Sequence, residues 1–504
     1  MNTLPSFLLS SFGYSLTKDR NNMLAISAPR PRRARFATLI AVLASVVWAG
    51  TALVAGPGTA FAQEETFLKV GQINVPGGIN SFDIGFVDPK IGRYFLADRT
   101  NSTVDQVKTN TNALDQLAKG AFVGVQAGTN TSGPNGVITA NNHTEVWAAD
   151  GVLCGTPPTN NACTTATTPA TQTSRILVID LKTQQVTHTI DNGGNRRADE
   201  LCEDPQDHVV LLANDDDSDL FVTFISTNTY KVVGKLFLDG TDPNAQKIKA
   251  TNGIEQCQWS PRTGKFYLAV PEVNGSGSNT QPGAVLEIDP KSMKVQKVFS
   301  IDFGFLPETG TPGMPGFTPA TAACLGPQGM AIGPQGEILL GCSNGGTAGT
   351  PAVTVAVGQG SVIINERNGD LVRSLAGLNG NDEVWYNPGN NHYFLAGGNH
   401  NLALPTPGPI LGVVDQRPDT IDEDASPTTK SGSHSVAADP VFNQVYVPVN
   451  NTPPGSAFAL CGNNVPGCIA IFMSANHDLG ICGGKQNAFK SQVCPDPKGK
   501  PGQN

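Results

Sequence analysis

The chain has 504 residues, ten cysteines and a net charge of −9, from 33 Lys and Arg against 42 Asp and Glu. An acidic surface argues against nucleic acid as a partner, because phosphate binding needs clustered Lys and Arg. No stretch after residue 62 stays apolar long enough to span a bilayer.

Residues 1–62 read as a leader. Arg30, Arg32, Arg33 and Arg35 precede an apolar run over 36–48, and the small-residue site Ala60-Phe61-Ala62 follows it. That is the order of a secretory signal, so the mature protein is expected to be periplasmic or extracellular. Met23 is an alternative start. Arg32-Arg33 raises the twin-arginine route beside the general one, although Phe36 lies one place beyond the usual pattern. An uncleaved anchor is the competing reading, but the run fades into Gly56-Pro57-Gly58. Without the leader, 27 Lys and Arg face 41 Asp and Glu, a net of −14.

From residue 63 to 475 one phrase recurs seven times, over 81–89, 134–142, 197–205, 253–261, 326–334, 380–388 and 432–440. Each copy is a short strand that begins at a polar residue and ends in a turn, usually at Asp-Pro or Asn-Pro, as at Asp204-Pro205. A β-rich second strand follows, as in Tyr94–Ala97 or Gln444–Val447, and several repeats show third and fourth runs. Four strands repeated at roughly 50–75 residues predict an all-β, seven-bladed β-propeller forming one domain. The last repeat lacks a clear fourth strand, and Thr66–Ile73 has no first strand before it. That segment is therefore expected to complete the last blade and close the ring. The fourth strand of repeat six is poor, and the acidic segment 418–424 is expected to loop out.

Low-complexity segments at 156–173 and 305–322 are expected to be loops, and the cysteine-containing tail 476–504 partly disordered. All ten cysteines follow the leader, which in an exported protein favours disulfides. The expected pairs are Cys154–Cys163, Cys202–Cys257, Cys324–Cys342, Cys461–Cys468 and Cys482–Cys494. Haem and thiolate-metal spacings are absent, which places a quinone-linked redox role last.

Aligned on their final turn, six phrases put a polar residue in one slot, Asp83, Asp199, Glu255, Gln328, Asp382 and His434, and in repeat two, which lacks the Pro, Asn135 joins them if the turn shifts by one. In a propeller the first strand lines the central channel, so these residues would ring its mouth. Carboxylates so close repel one another, and a cation relieves that. Oxygen donors suit Ca²⁺, Mg²⁺ or Mn²⁺, with Zn²⁺ or Fe open through His434. The next slot carries Glu200, Gln256, Glu383 and Ser435, which strand alternation would turn away from the first set. Loops after the second strands add Asp98-Arg99, Asp150, 214–217, Glu272, Asn344, 399–400 and 450–451 to the same face. Asp and Asn are also ordinary turn residues, so a merely hydrated polar channel is the competing reading.

The phrase from Glu255 to Leu268 is similar to the Glu-containing motif of the SMP-30/gluconolactonase propellers, and Pro134-Asn135-Gly136 to their Asn motif. Gln256-Cys257 departs from that family's Gly-Pro, and seven repeats depart from its six blades. Ser433–Pro440 and Gln444–Val447 resemble the YncE/YVTN repeats of exported bacterial proteins. The first resemblance implies a divalent metal held by Glu255, Asn135 and Asp199 or Asp382, and the slot adds Asp83 as a further candidate. His434 and Asp382 would be the acid/base groups of a hydrolase acting on a small ester or lactone. The second implies a non-catalytic binding module of the cell envelope. Either way the expected partner is a small molecule or an envelope ligand, and the expected state a monomer.

Overall fold

The computed structural model describes residues 66–126, 129–152, 173–279, 281–303, 324–343, 360–376, 378–400, 410–417, 420–423, 433–450, 460–462 and 465–475. By internal contacts the chain divides at residue 61/62, and all of these lie in the second unit. The leader, the tail, the insertions at 156–172 and 305–322, Asn344, Asn451 and the pairs Cys154–Cys163 and Cys482–Cys494 fall outside the described residues.

The described residues form seven four-stranded antiparallel sheets in a ring around an axis: an all-β, seven-bladed propeller. No described helix is long and apolar enough to cross a membrane. The innermost strands are Gly85–Asp88, Val137–Ala140, Ala198–Asp204, Cys257–Ser260, Pro327–Ile332, Asn379–Asn387 and Ala437–Asp439, in blades one to seven. Each runs antiparallel to the second strand of its own blade and packs beside the first strand of the next.

Ring closure follows the expected route. Phe67–Ile73 pairs with Cys468–Ser474 and becomes the outer strand of blade seven. Tyr94 of blade one stacks on Tyr446 of blade seven, ring centroids 4.7 Å apart, across the same seam. One expectation fails. Thr420–Glu423 does not loop out but pairs with Val414–Arg417 as the fourth strand of blade six. An outermost strand is held by backbone hydrogen bonds on one side and needs no run of apolar residues, so its acidic sequence is compatible with pairing.

The core is not one nucleus but seven, one between each pair of adjacent blades. The second strands supply the large buried side chains, among them Tyr94, Trp147, Tyr267 and Tyr393. Disulfides Cys202–Cys257, Cys324–Cys342 and Cys461–Cys468 are present as expected. The first joins the inner strands of blades three and four across 55 residues. Opening that loop in the unfolded chain is worth about 4 kcal/mol by chain entropy. Paired replacement of Cys202 and Cys257 by Ala should lower the urea midpoint accordingly, whereas an unchanged midpoint would show the bridge to be dispensable.

Candidate functional site in the central channel

Both polar slots face the channel, because the inner strands are bulged there. In blade one the Asp83 N–H donates to Ala97 O (2.9 Å) and the Ala97 N–H to Ile84 O (3.0 Å), so two residues oppose one. The same pair of bonds joins Asn135 and Gly136 to Ala149, and Glu255 and Gln256 to Ala269. Register shifts at Ala198/Leu201, Pro327/Met330 and Asn381/Val384 place irregularities at the matching point of blades three, five and six. A bulge re-aims side chains and suspends the period-2 alternation, which is why the second slot does not turn away.

Two residues before the slot, Gly253, Gly326 and Gly380 all adopt positive φ (86°, 61° and 67°). At Gly253 a Cβ would also lie 2.3 Å from Asp215 Oδ1, the atom that accepts the Ile254 N–H at 3.0 Å. In blade three this position is Arg197.

Arg197 organises the upper ring. Its guanidinium reaches Asp83 Oδ2 (3.0 Å), Asp199 Oδ2 (3.0 Å) and Asp215 Oδ2 (3.4 Å). Arg99 also donates to Asp83 and makes two bonds to Asn135 Oδ1, from Nε (3.0 Å) and Nη2 (2.7 Å). Asn135 Nδ2 donates to Ala198 O at 2.7 Å, which fixes its amide. His434 stacks on Phe82 and brings Nε2 to 3.3 Å from Asp83 Oδ1. Gln328 Nε2 lies 3.4 Å from Glu255 Oε1.

The electrostatics divide this ring in two. Burial pushes the Asp83 carboxyl up, but Arg99, Arg197 and His434 outweigh it and hold that carboxyl well below the usual range. On the other side burial dominates. Asp199 is pushed well above the carboxylate range despite Arg197, and Glu255 likewise, by burial and then by Asp215, Asp382 and Asp199. Asp215 is raised to about 6, again chiefly by burial. One oxygen from each of Asp199, Asp215 and Glu255 lies within 4.8 Å of the other two. Asp199 Oδ1 is buried with no hydrogen-bond partner. Asp215 opens onto a polar groove of about 440 Å³ between the 215–220 and 249–253 loops.

The residues expected from the sequence thus fall into groups. Asp199 and Glu255 converge, joined by Asp215 from a neighbouring loop. Asp83 and Asn135 are engaged by arginines. His434 sits beside Asp83. Asp382 lies close enough for its charge to act on Glu255, Asp215 and Arg99. Arg197 and Arg99 were the residues that slot alignment did not single out. Their signal is positional: Arg197 is a long cation where other blades carry Gly or Ser. Of the loop residues, Asp150 pairs with Arg175 at 2.9 Å and Glu272 accepts the N–H groups of Gly277 and Gln281, so both are tied into loop structure.

No family model and no curated protein matches this chain. Among solved structures, the WD40 repeats of RRP9 align at 8% identity over 82% of this chain and 98% of that one, with a TM-score of 0.47. U3-55K aligns at 9% identity over 81% and 98%, TM-score 0.46. The hydrazine synthase of Kuenenia stuttgartiensis aligns at 13% identity over 75% and 94%, TM-score 0.44.

Arg197→Met would leave three buried or half-buried carboxylates without their shared partner. Folding should weaken by about 3–5 kcal/mol at neutral pH. The abandoned carboxyls would have folded-state pKa values above their unfolded ones, so the deficit should shrink as pH falls and grow as it rises. Urea titrations of both proteins at acidic and neutral pH would show this, and a deficit independent of pH would contradict it.

Proposed function

We propose that the protein is an exported propeller that binds a divalent cation at Asp199, Asp215 and Glu255 and acts as a hydrolase on a small ester or lactone. The observation that carries the reading is the convergence of one oxygen from each of three carboxylates, beside a buried, unpartnered Asp199 Oδ1, on the side of the ring where burial raises the carboxyl pKa values. Among the described residues, five carboxylates (Asp83, Asp199, Asp215, Glu255, Asp382) gather around two arginines, Arg99 and Arg197. One divalent ion brings that balance to within a single charge. The donors are all oxygen, which favours Ca²⁺, Mg²⁺ or Mn²⁺ over Zn²⁺.

When bound, such an ion polarises a substrate carbonyl. Asp382, whose charge acts on Glu255 and Asp215, would accept a proton from the attacking water. Water adds to the acyl carbon, the acyl C–O bond breaks, and the proton held on Asp382 passes to the departing alkoxide, giving an acid and an alcohol or, from a lactone, a hydroxy acid. The Asp215 groove offers the route to solvent. His434, beside Asp83, would orient the far wall through that contact. The three described disulfides fit export, as does the likeness to the YncE/YVTN repeats of exported bacterial proteins, and the likeness to the gluconolactonase propellers supports the hydrolase reading. The second reading, a non-catalytic envelope-binding propeller, is favoured by the two arginines, which tie up Asp83 and Asn135.

EDTA should lower the thermal midpoint, and Ca²⁺, Mg²⁺ or Mn²⁺ at about a hundred times Kd should restore it by about 3 °C. Glu255→Gln should abolish that response together with lactone hydrolysis. Indifference to EDTA and to all three metals would overturn the metal site. A metal response without turnover on any ester or lactone would favour the binding module.

A further inference from the structure

Below the arginine ring the channel changes character. A separate axial cavity of about 390 Å³ lies between the inner strands of blades one, two, three, four and six. Its walls are mostly carbon, with Phe86, Trp259 and Trp385 as the largest faces. Phe86 and Trp385 meet edge to face, centroids 5.6 Å apart. At its inner end stand the second-slot residues Glu200, Gln256 and Glu383, which the bulges turn inward.

The polar groups there are unevenly satisfied. Gln256 is used up: its Oε1 accepts the N–H groups of Met330 (2.6 Å) and Val384 (3.3 Å), and its Nε2 faces Val384 O (3.4 Å). Glu383 Oε2 accepts from Gly85 N and Val436 N, both at 3.2 Å, and from the Ser435 hydroxyl. Its Oε1 is buried with no partner, in a side chain that is 0% exposed. Glu200, 5% exposed, receives no side-chain hydrogen bond from any described residue. The Trp259 indole N–H is also buried and unpartnered. An unpaired buried carboxylate oxygen in an apolar cavity calls for a donor or a cation.

We propose that this axial cavity binds a small organic ammonium ion, its charged nitrogen against Glu200 and Glu383 and its alkyl groups against Phe86, Trp259 and Trp385. The aromatic faces attract a cation through their quadrupoles and offer no lone pairs to a bare metal ion. The acidic lining, Asp88, Glu200, Glu203 and Glu383 against Lys90 and His143, excludes an anion. Asp88 is partly taken by His143, with Nδ1 2.7 Å from Oδ2, so the rim is close to balanced and the excess negative charge lies at the inner end. Glu200 and Glu383 both line this end of the cavity, and a cation between them offsets the two negative charges. The site shares no ligand with the Asp199, Asp215 and Glu255 cluster.

The test is a titration of the mature, disulfide-intact protein with choline and with its uncharged isostere 3,3-dimethylbutan-1-ol, in EDTA. Binding is followed by calorimetry and by tryptophan fluorescence, since Trp259 and Trp385, two of the three tryptophans after residue 62, line the cavity. Choline should bind with one site per chain and a Kd of about 1 mM or tighter. The isostere should bind at least about tenfold more weakly, a difference of about 1.4 kcal/mol. Glu200→Gln, which breaks no hydrogen bond, should weaken choline by a similar factor, and Trp259→Leu should weaken it and remove most of the fluorescence change. Equal affinity for choline and the isostere, or no saturable binding of either, would overturn the proposal. That comparison uses the wild-type chain, so it stands whether or not the variants fold. EDTA keeps it independent of the proposed metal site.

Discussion

Closing seven twisted sheets into a ring forces their innermost strands together at one axis, and every other feature follows from what those strands place there. A single propeller blade cannot bury both of its faces. Here each interface between neighbours holds its own apolar cluster, and the ring is complete only because Phe67–Ile73 comes back to finish the blade begun near residue 433. Radial repetition leaves protected edges and a narrow channel. The narrowness matters most, since seven equivalent positions converge there and carry charges that must be balanced.

The balance is reached differently at the two levels. At the upper level Arg99 and Arg197 reach in from blades one and three and neutralise the Asp83 side. Their reach ends at Asp199 and Asp215, and among the described residues Glu255 has no cation in contact. At the lower level there is no arginine at all among the lining residues, and Glu200 and Glu383 stand against aromatic walls. Two unlike deficits of positive charge therefore sit on one axis. The first is a compact set of oxygens, suited to a hard metal ion. The second is a greasy chamber with carboxyl groups at its inner end, suited to a cation that carries its own apolar surface.

Much of this was legible in the sequence. Turn-terminated strands at a regular spacing gave away the propeller, because turns and period-2 alternation are local properties. The closing strand could be read because a fourth strand was missing at one end and a first strand at the other. The polar slot was visible by aligning Asp83, Asp199, Glu255 and their equivalents. What could not be read was set by other blades. Arg197 pairs with Asp83, 114 residues away, and nothing local marks that contact. The bulges that turn Glu200 and Glu383 inward are backbone irregularities between Ala198 and Leu201 and between Asn381 and Val384, which the alternating pattern conceals. Thr420–Glu423 was misread because an outermost strand is held by its backbone and not by an apolar face.

The central claim is that the residual negative charge of the upper ring has a fixed place, between Asp199, Asp215 and Glu255. Anomalous diffraction from crystals of the mature protein grown with Mn²⁺ tests it directly. One strong anomalous peak is expected in contact with carboxylate oxygens of all three residues. A channel without a peak, or a peak bound at Asp83 and Asn135 in place of the arginines, would contradict it.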